Sequence, residues 1–154
     1  MALDIGDKIP DLTLPATGGR DIALRSFKGK ALVVYFYPKD NTPGCTQEGQ
    51  DFRDLYGKFR KAGVEIVGVS RDSVRSHENF ATKFEFPFAL LSDADEAACR
   101  AFDVIREKTL YGRKYMGVDR STFLFDAKGV LRQVWRSVKV KNHAQAVLDA
   151  AAGL

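Results

Sequence analysis

Seven consecutive residues, Ala31-Leu32-Val33-Val34-Tyr35-Phe36-Tyr37, are all apolar or aromatic, and the run stops at Pro38. It is far shorter than the ~18 residues a membrane span requires. Its β-branched and aromatic content instead predicts a strand, and a strand with no polar side must be covered on both faces. That demands a central strand in a layered α/β fold.

The rest of the chain supplies the layers. Phe52, Leu55, Tyr56 and Phe59 recur at helical spacing, predicting a helix that begins near Cys45 and ends at Gly63. Val64 to Ser70 reads as a second apolar strand. Asp72 or Ser73 can cap a helix running through Phe80 to Phe84, and Pro87 leads into a strand from Phe88 to Leu91. Asp93 with Glu96 makes an acidic capping box ahead of a third helix, whose apolar stripe is Ala94, Ala97, Ala98, Ala101, Phe102 and Ile105. Two hairpins are expected. One joins Asp11–Leu14 to Ile22–Leu24 around Ala16-Thr17-Gly18-Gly19, and the other joins Thr122–Phe125 to Val130–Trp135 around Asp126-Ala127-Lys128-Gly129. Asn142 caps a last helix. Helical crossovers between strands imply parallel pairs and hairpins add antiparallel ones, so the sheet should be mixed, with helices on its flanks. No repeat, low-complexity tract or linker divides the chain, and residues 1–154 are expected to form a single domain.

Composition narrows the function. The chain has 154 residues with 24 Lys and Arg against 20 Asp and Glu, a net charge of +4. Its basic residues are scattered, and the clusters Lys58, Arg60, Lys61 and Lys139, Lys141 lack interleaved aromatics, so no nucleic-acid partner is expected. Two cysteines, Cys45 and Cys99, and two distant histidines, His77 and His143, are too sparse for zinc. No metal is expected. Met1 to Pro10 lacks the apolar core of an export signal, which predicts a cytoplasmic protein with reduced thiols and no membrane contact.

One stretch carries chemistry: Tyr37-Pro38-Lys39-Asp40-Asn41-Thr42-Pro43-Gly44-Cys45-Thr46-Gln47-Glu48. It sets a cysteine at a strand-to-helix junction, where unpaired N–H groups and the positive end of the helix dipole favour a thiolate over a thiol. Pro38 and Pro43 stiffen the loop, and Gly44 permits close approach. A randomly chosen cysteine is usually a small buried hydrophobe. This one stands where a nucleophile is made.

Pro38-x-x-x-Thr42-x-x-Cys45 resembles the PxxxTxxC signature of the peroxiredoxins, and the longer run through Glu48 is similar to their bacterioferritin comigratory protein (PrxQ) branch. The likeness continues in Gly6-Asp7, Pro10-Asp11, Gly68-Val69-Ser70, Leu91-Ser92-Asp93 and Asp119-Arg120-Ser121-Thr122-Phe123. The resemblance implies a thioredoxin-like fold, no cofactor, and a thiol peroxidase acting on hydrogen peroxide and organic hydroperoxides. Its reductant would be an external thiol: thioredoxin, glutaredoxin or glutathione. The likeness makes Cys45 the peroxidatic residue, Arg120 its cationic partner and Glu48 the residue that orients the arginine.

The chemistry needs donors beside sulfur, because charge builds on the leaving oxygen when a thiolate displaces it. The Gly44 and Cys45 N–H groups are candidates, and the Thr42 hydroxyl can either accept from the peroxide proton or donate to an oxygen. Arg120 can bridge thiolate and peroxide through its fork of N–H groups.

The sequence departs from these relatives in its second cysteine. Positions where the family carries a resolving cysteine hold Gln50 and Ala81 here. The chain also lacks the cysteine-bearing carboxyl-terminal extension of dimeric relatives, which favours a monomer or a loose dimer, a monomer being the main expectation. Cys99 is the remaining candidate, expected half-buried on the flank of its helix. A disulfide to Cys45 would need both helices to open, so a one-cysteine enzyme is the main reading and a Cys45–Cys99 enzyme its alternative. A thiol–disulfide oxidoreductase would need a CxxC pair, which is absent. A non-enzymatic binding or chaperone module is disfavoured by the joint presence of Pro38, Thr42, Cys45 and Arg120.

Overall fold

A computed structural model of the chain describes residues 3–27 and 29–154. Its first hairpin pairs β1, Thr13–Ala16, with β2, Arg20–Ala23. The strands sit closer to the turn than expected. Gly18 and Gly19 both take positive φ, 87° and 66°, so the chain reverses within three residues and pairing reaches Ala16 and Arg20. Leu24 consequently opens a short 3₁₀ helix, Leu24–Phe27, instead of ending a strand.

Next come β3, Ala31–Phe36, and α1, Pro43–Lys61; then β4, Val64–Ser70, and α2, Val74–Phe84; then β5, Ala89–Ser92. All of β3 is buried, as its composition requires. β3 pairs parallel with β4, and β4 with β5, so α1 and α2 are the crossovers. Ser73 caps α2, its hydroxyl accepting from the Ser76 N–H at 3.1 Å.

The next segment corrects the sequence reading. α3 spans only Ala97–Ala101, and the capping box does not form: Glu96 is left-handed at the N-cap. Asp93 instead receives the N–H groups of Ala98 and Cys99, at 2.9 and 2.7 Å. Ile105 belongs to no helix. It begins β6, Ile105–Leu110, which forms a separate two-stranded ribbon with β7, Arg113–Val118. The strand pattern of this ribbon is hidden because it is mostly exposed and charged. Its turn residues, Tyr111 and Gly112, both have positive φ, the geometry of a tight two-residue hairpin.

β8, Ser121–Phe125, β9, Leu131–Trp135, and α4, His143–Ala152, complete the chain. The main sheet runs β2-β1-β5-β4-β3-β8-β9 and is mixed, with β8 antiparallel to β3. Asn142 is the N-cap of α4 but takes a left-handed conformation and offers no side-chain cap. Among the described residues, no helix is long and apolar enough to cross a membrane.

Alternation along β3 splits the core in two. Val33 and Tyr35, followed by Tyr37, face a cluster with Cys45 and Phe52 of α1, Phe80 of α2 and Val147 of α4. Leu32, Val34 and Phe36 face the opposite cluster, with Cys99, Phe102 and Phe123. The two cysteines therefore lie on opposite faces of the sheet.

Candidate active site

The site grows from the end of β3. Pro38, half-buried, ends the strand, and the loop runs to Thr42, the extended N-cap of α1, with Pro43 at the helix start. Proline is tolerated there because its missing N–H would have had no helical acceptor. The Thr42 hydroxyl does not cap the helix. It donates to the Lys39 carbonyl at 2.8 Å, which leaves its oxygen lone pairs as acceptors. The first intrahelical bond is the Thr46 N–H to the Thr42 carbonyl, 2.9 Å, so the Gly44 and Cys45 N–H groups precede it.

Arg120 arrives from the other side, between β7 and β8. Its Nη2 donates to Cys45 Sγ at 3.4 Å and its Nη1 to Glu48 Oε1 at 2.6 Å. Gly44 eases this approach, since a Cβ there would lie 3.1 Å from Arg120 Nη2 and push the guanidinium back by a few tenths of an ångström. Hydrogen bonds thus join three of the five residues singled out from sequence: Cys45, Arg120 and Glu48. Thr42 turns to its own loop, and Pro38 shapes the chain leading to it.

The electrostatics are uneven. Glu48 is buried, and among the described residues Oε2 has no hydrogen-bond partner. Burial pushes its carboxyl up from 4.5 to about 7, although Arg120 pulls the other way. Burial disfavours charge on Arg120 too, but there Glu48 and the Cys45 sulfur prevail and hold the guanidinium more firmly protonated. The site is a cation shared between a sulfur and a reluctant carboxylate.

Sequence reading also passed over two buried histidines. His77 Nδ1 lies 2.7 Å from Asp40 Oδ2, inside the loop that leads to Cys45. The available signal was His77 on the buried side of α2, three residues before Phe80. His143 Nε2 meets the Thr122 hydroxyl at 2.8 Å, and burial, helped by the Arg120 charge, lowers its pKa to about 4. It is neutral at physiological pH. Among the described residues, Asp40, Asp72 and His77 are the group whose atoms come close enough to hold a cation, but protein donors already occupy them.

Cys99 departs from expectation. It is fully buried, not half-buried, and burial followed by the adjacent Asp93 pushes its thiol well up from the ordinary range.

The model of the AhpC/TSA family matches residues 5–134. "Peroxiredoxin Bcp" of Xanthomonas campestris pv. campestris is 58% identical over 140 residues, covering 91% of this chain and 88% of that protein. The chain belongs to the peroxiredoxins. Solved structures agree on its branch and on a thioredoxin-like fold. A trapped intermediate/ligand complex of Xanthomonas campestris bacterioferritin comigratory protein, concerned with that protein's alkyl peroxide reduction activity, matches this peroxiredoxin with a TM-score of 0.91 and 53% identity, covering 97% of this chain and 98% of the other. A Xylella fastidiosa PrxQ mutant matches with a TM-score of 0.94 and 41% identity, covering 99% and 98%. This peroxiredoxin is a thiol-dependent peroxidase, and its reaction takes a peroxide and a reductant.

Proposed function

We propose that this peroxiredoxin reduces hydrogen peroxide and organic hydroperoxides with Cys45 as its sole redox cysteine. The Cys45 thiolate attacks one peroxide oxygen, the O–O bond breaks, and water or an alcohol leaves once protonated. The sulfur becomes a sulfenic acid. Arg120 contacts sulfur through Nη2 and, with the Gly44 and Cys45 N–H groups, offers donors to the oxygens. Thr42, its own proton engaged by Lys39, accepts from the peroxide proton. Glu48 holds the far side of Arg120, and Pro38 sets the path of the loop.

A small external thiol, or thioredoxin or glutaredoxin, then condenses with the sulfenic acid, releasing water and forming a mixed disulfide. A second thiol breaks that disulfide and restores Cys45. The observation that carries the one-cysteine reading is the placement of Cys45 and Cys99 in core clusters on opposite faces of the sheet. A disulfide requires Cα atoms within about 7 Å, so α1 would have to open and Cys99 leave its own core cluster as well. The alkyl peroxide activity of the Xanthomonas relative supports including organic hydroperoxides.

Intact mass after one equivalent of peroxide tests the reading. The expected product gains one oxygen and is trapped by added thiol as a mixed disulfide. An internal disulfide, seen as the loss of two hydrogens, would overturn it.

A further inference from the structure

The loop that carries Cys45 into place lies outside the strands, and Asn41 within it takes a left-handed φ of 62°. Its anchor is Asp40. The Asp40 N–H donates to Asp72 Oδ2 at 2.9 Å, the Tyr37 hydroxyl donates to Asp40 Oδ1 at 2.6 Å, and the Ser76 hydroxyl donates to Oδ2 at 2.8 Å. His77 Nδ1 stands 2.7 Å from the same Oδ2, with both side chains essentially inaccessible, at 0% and 2% exposure. On its far side His77 Nε2 lies 2.9 Å from the Leu91 carbonyl of β5.

A carbonyl only accepts, so Nε2 carries a hydrogen. Nδ1 and Oδ2 at 2.7 Å then need a proton between them, and the pair is an imidazolium–carboxylate or its neutral equivalent. His77 therefore joins the catalytic loop to α2 through the Nδ1 contact, beside the Ser76 bond, and to β5 through the Nε2 hydrogen on Leu91.

We propose that Asp40 and His77 are positioning residues for the peroxidase reaction: the buried pair holds the loop so that Cys45 Sγ stays within reach of Arg120. The inference rests on the peroxidase reading above. Its logic is geometric. Arg120 enters from the connection between β7 and β8, and Cys45 from the loop and α1, so nothing in either segment alone sets the 3.4 Å contact between them. Displacement by an ångström costs on the order of a hundred-fold when reacting groups must be aligned. A buried ion pair is also a poor choice for stability alone, since apolar residues often do as well. Here it lies five residues before the nucleophile.

The experiment compares two rates on the same reduced protein: oxidation of Cys45 by hydrogen peroxide, which needs the aligned donors, and alkylation by iodoacetamide, which needs only an accessible thiolate. In His77→Leu the peroxide rate should fall about ten- to a hundred-fold while alkylation holds or rises. His77→Asn, whose amide replaces the Nδ1 donor, should recover most of the peroxide rate. Asp40→Asn serves as a second break should His77→Leu not fold, and proton NMR should show a downfield imidazole N–H in the wild type that Asp40→Asn loses.

An unchanged peroxide rate in variants lacking that resonance would overturn the proposal, as would a parallel fall of both rates. No recovery in His77→Asn would move the effect to the Leu91 contact and overturn the role of Asp40. In all these cases wild-type peroxidase activity stands, whereas wild-type protein inert to peroxide would overturn the one-cysteine reading and this inference together.

Discussion

Cys45 and Cys99 are the same side chain, equally shielded from solvent, on opposite faces of one sheet. Cys45 is the third residue of a long helix, with Arg120 donating to its sulfur. Cys99 lies in a one-turn helix, with Asp93 as its polar neighbour and its thiol pushed up by burial and by that carboxylate. Burial therefore does not distinguish the two cysteines. The sign of the adjacent charge does: a guanidinium stands beside Cys45 and a carboxylate beside Cys99.

Removing the proposed nucleophile gives the sharpest break in that contrast. Cys45→Ser should reduce peroxide consumption, assayed with excess thiol, to the level of buffer. Residual turnover supported by Cys99 would collapse the distinction between the two faces.

Next in size is the charge itself. Arg120→Lys keeps a cation but loses the planar fork that reaches Sγ and Glu48 together, at 3.4 and 2.6 Å. The second-order rate of peroxide with reduced protein should fall on the order of ten-fold or more, about 1.4 kcal/mol of transition-state stabilisation. Stopped-flow measurement would show it, and a wild-type rate would reduce Arg120 to a simple ion pair.

The same contrast explains what could be read from sequence. Cys45, Thr42 and Pro38 share a local motif, and β3, α1 and β4 follow from runs and periodicities of adjacent residues, so that half of the site was legible. The one-proton contact of Asp40 with His77 spans 37 positions, and nothing local announces it. The β6–β7 ribbon was hidden for the opposite reason: little of it is buried, so burial imposed no hydrophobic alternation on it. The Ala-rich spacing after Asp93 predicts a longer α3 than forms, because Asp93 binds its first turn late and left-handed Asp103 follows soon after its end. Cys99 was placed on a flank by a helix that is in fact too short to have one.

Glu48 offers a finer test of the charged side. Its carboxyl titrates near 7 in the folded protein against an ordinary 4.5, burial being the main cause. The folded state thus holds that proton more tightly than the unfolded chain. Its contribution to stability is fully present below about 4.5 and lost as pH rises through about 7. Glu48→Gln should remove this slope, which amounts to on the order of 3 kcal/mol between those limits, as measured by urea unfolding at several pH values. Activity should run the other way. The carboxylate that grips Arg120 forms only as pH rises through 7, so the ratio of wild-type to Glu48→Gln peroxide rates should grow over that window. A flat ratio would leave Glu48 out of the orientation of Arg120.

The smallest effect is expected on the other face. Cys99 contributes a thiol beside Asp93, and a serine there keeps a hydroxyl donor for the same carboxylate, whose two oxygens already take the Ala98 and Cys99 N–H groups. The cost is the replacement of a fully buried sulfur by a smaller, more polar oxygen, about 1 kcal/mol in thermal or urea unfolding. Turnover of Cys99→Ser with a small-molecule thiol should match the wild type within error, because Cys99 belongs to the core cluster on the opposite face from Cys45. Loss of turnover, with Cys45 still oxidised once by peroxide, would mean that the two cysteines meet during the cycle and that the sheet between them opens far more than its buried central strands suggest. Retained turnover keeps the redox chemistry on the Cys45 face and leaves Cys99 as packing.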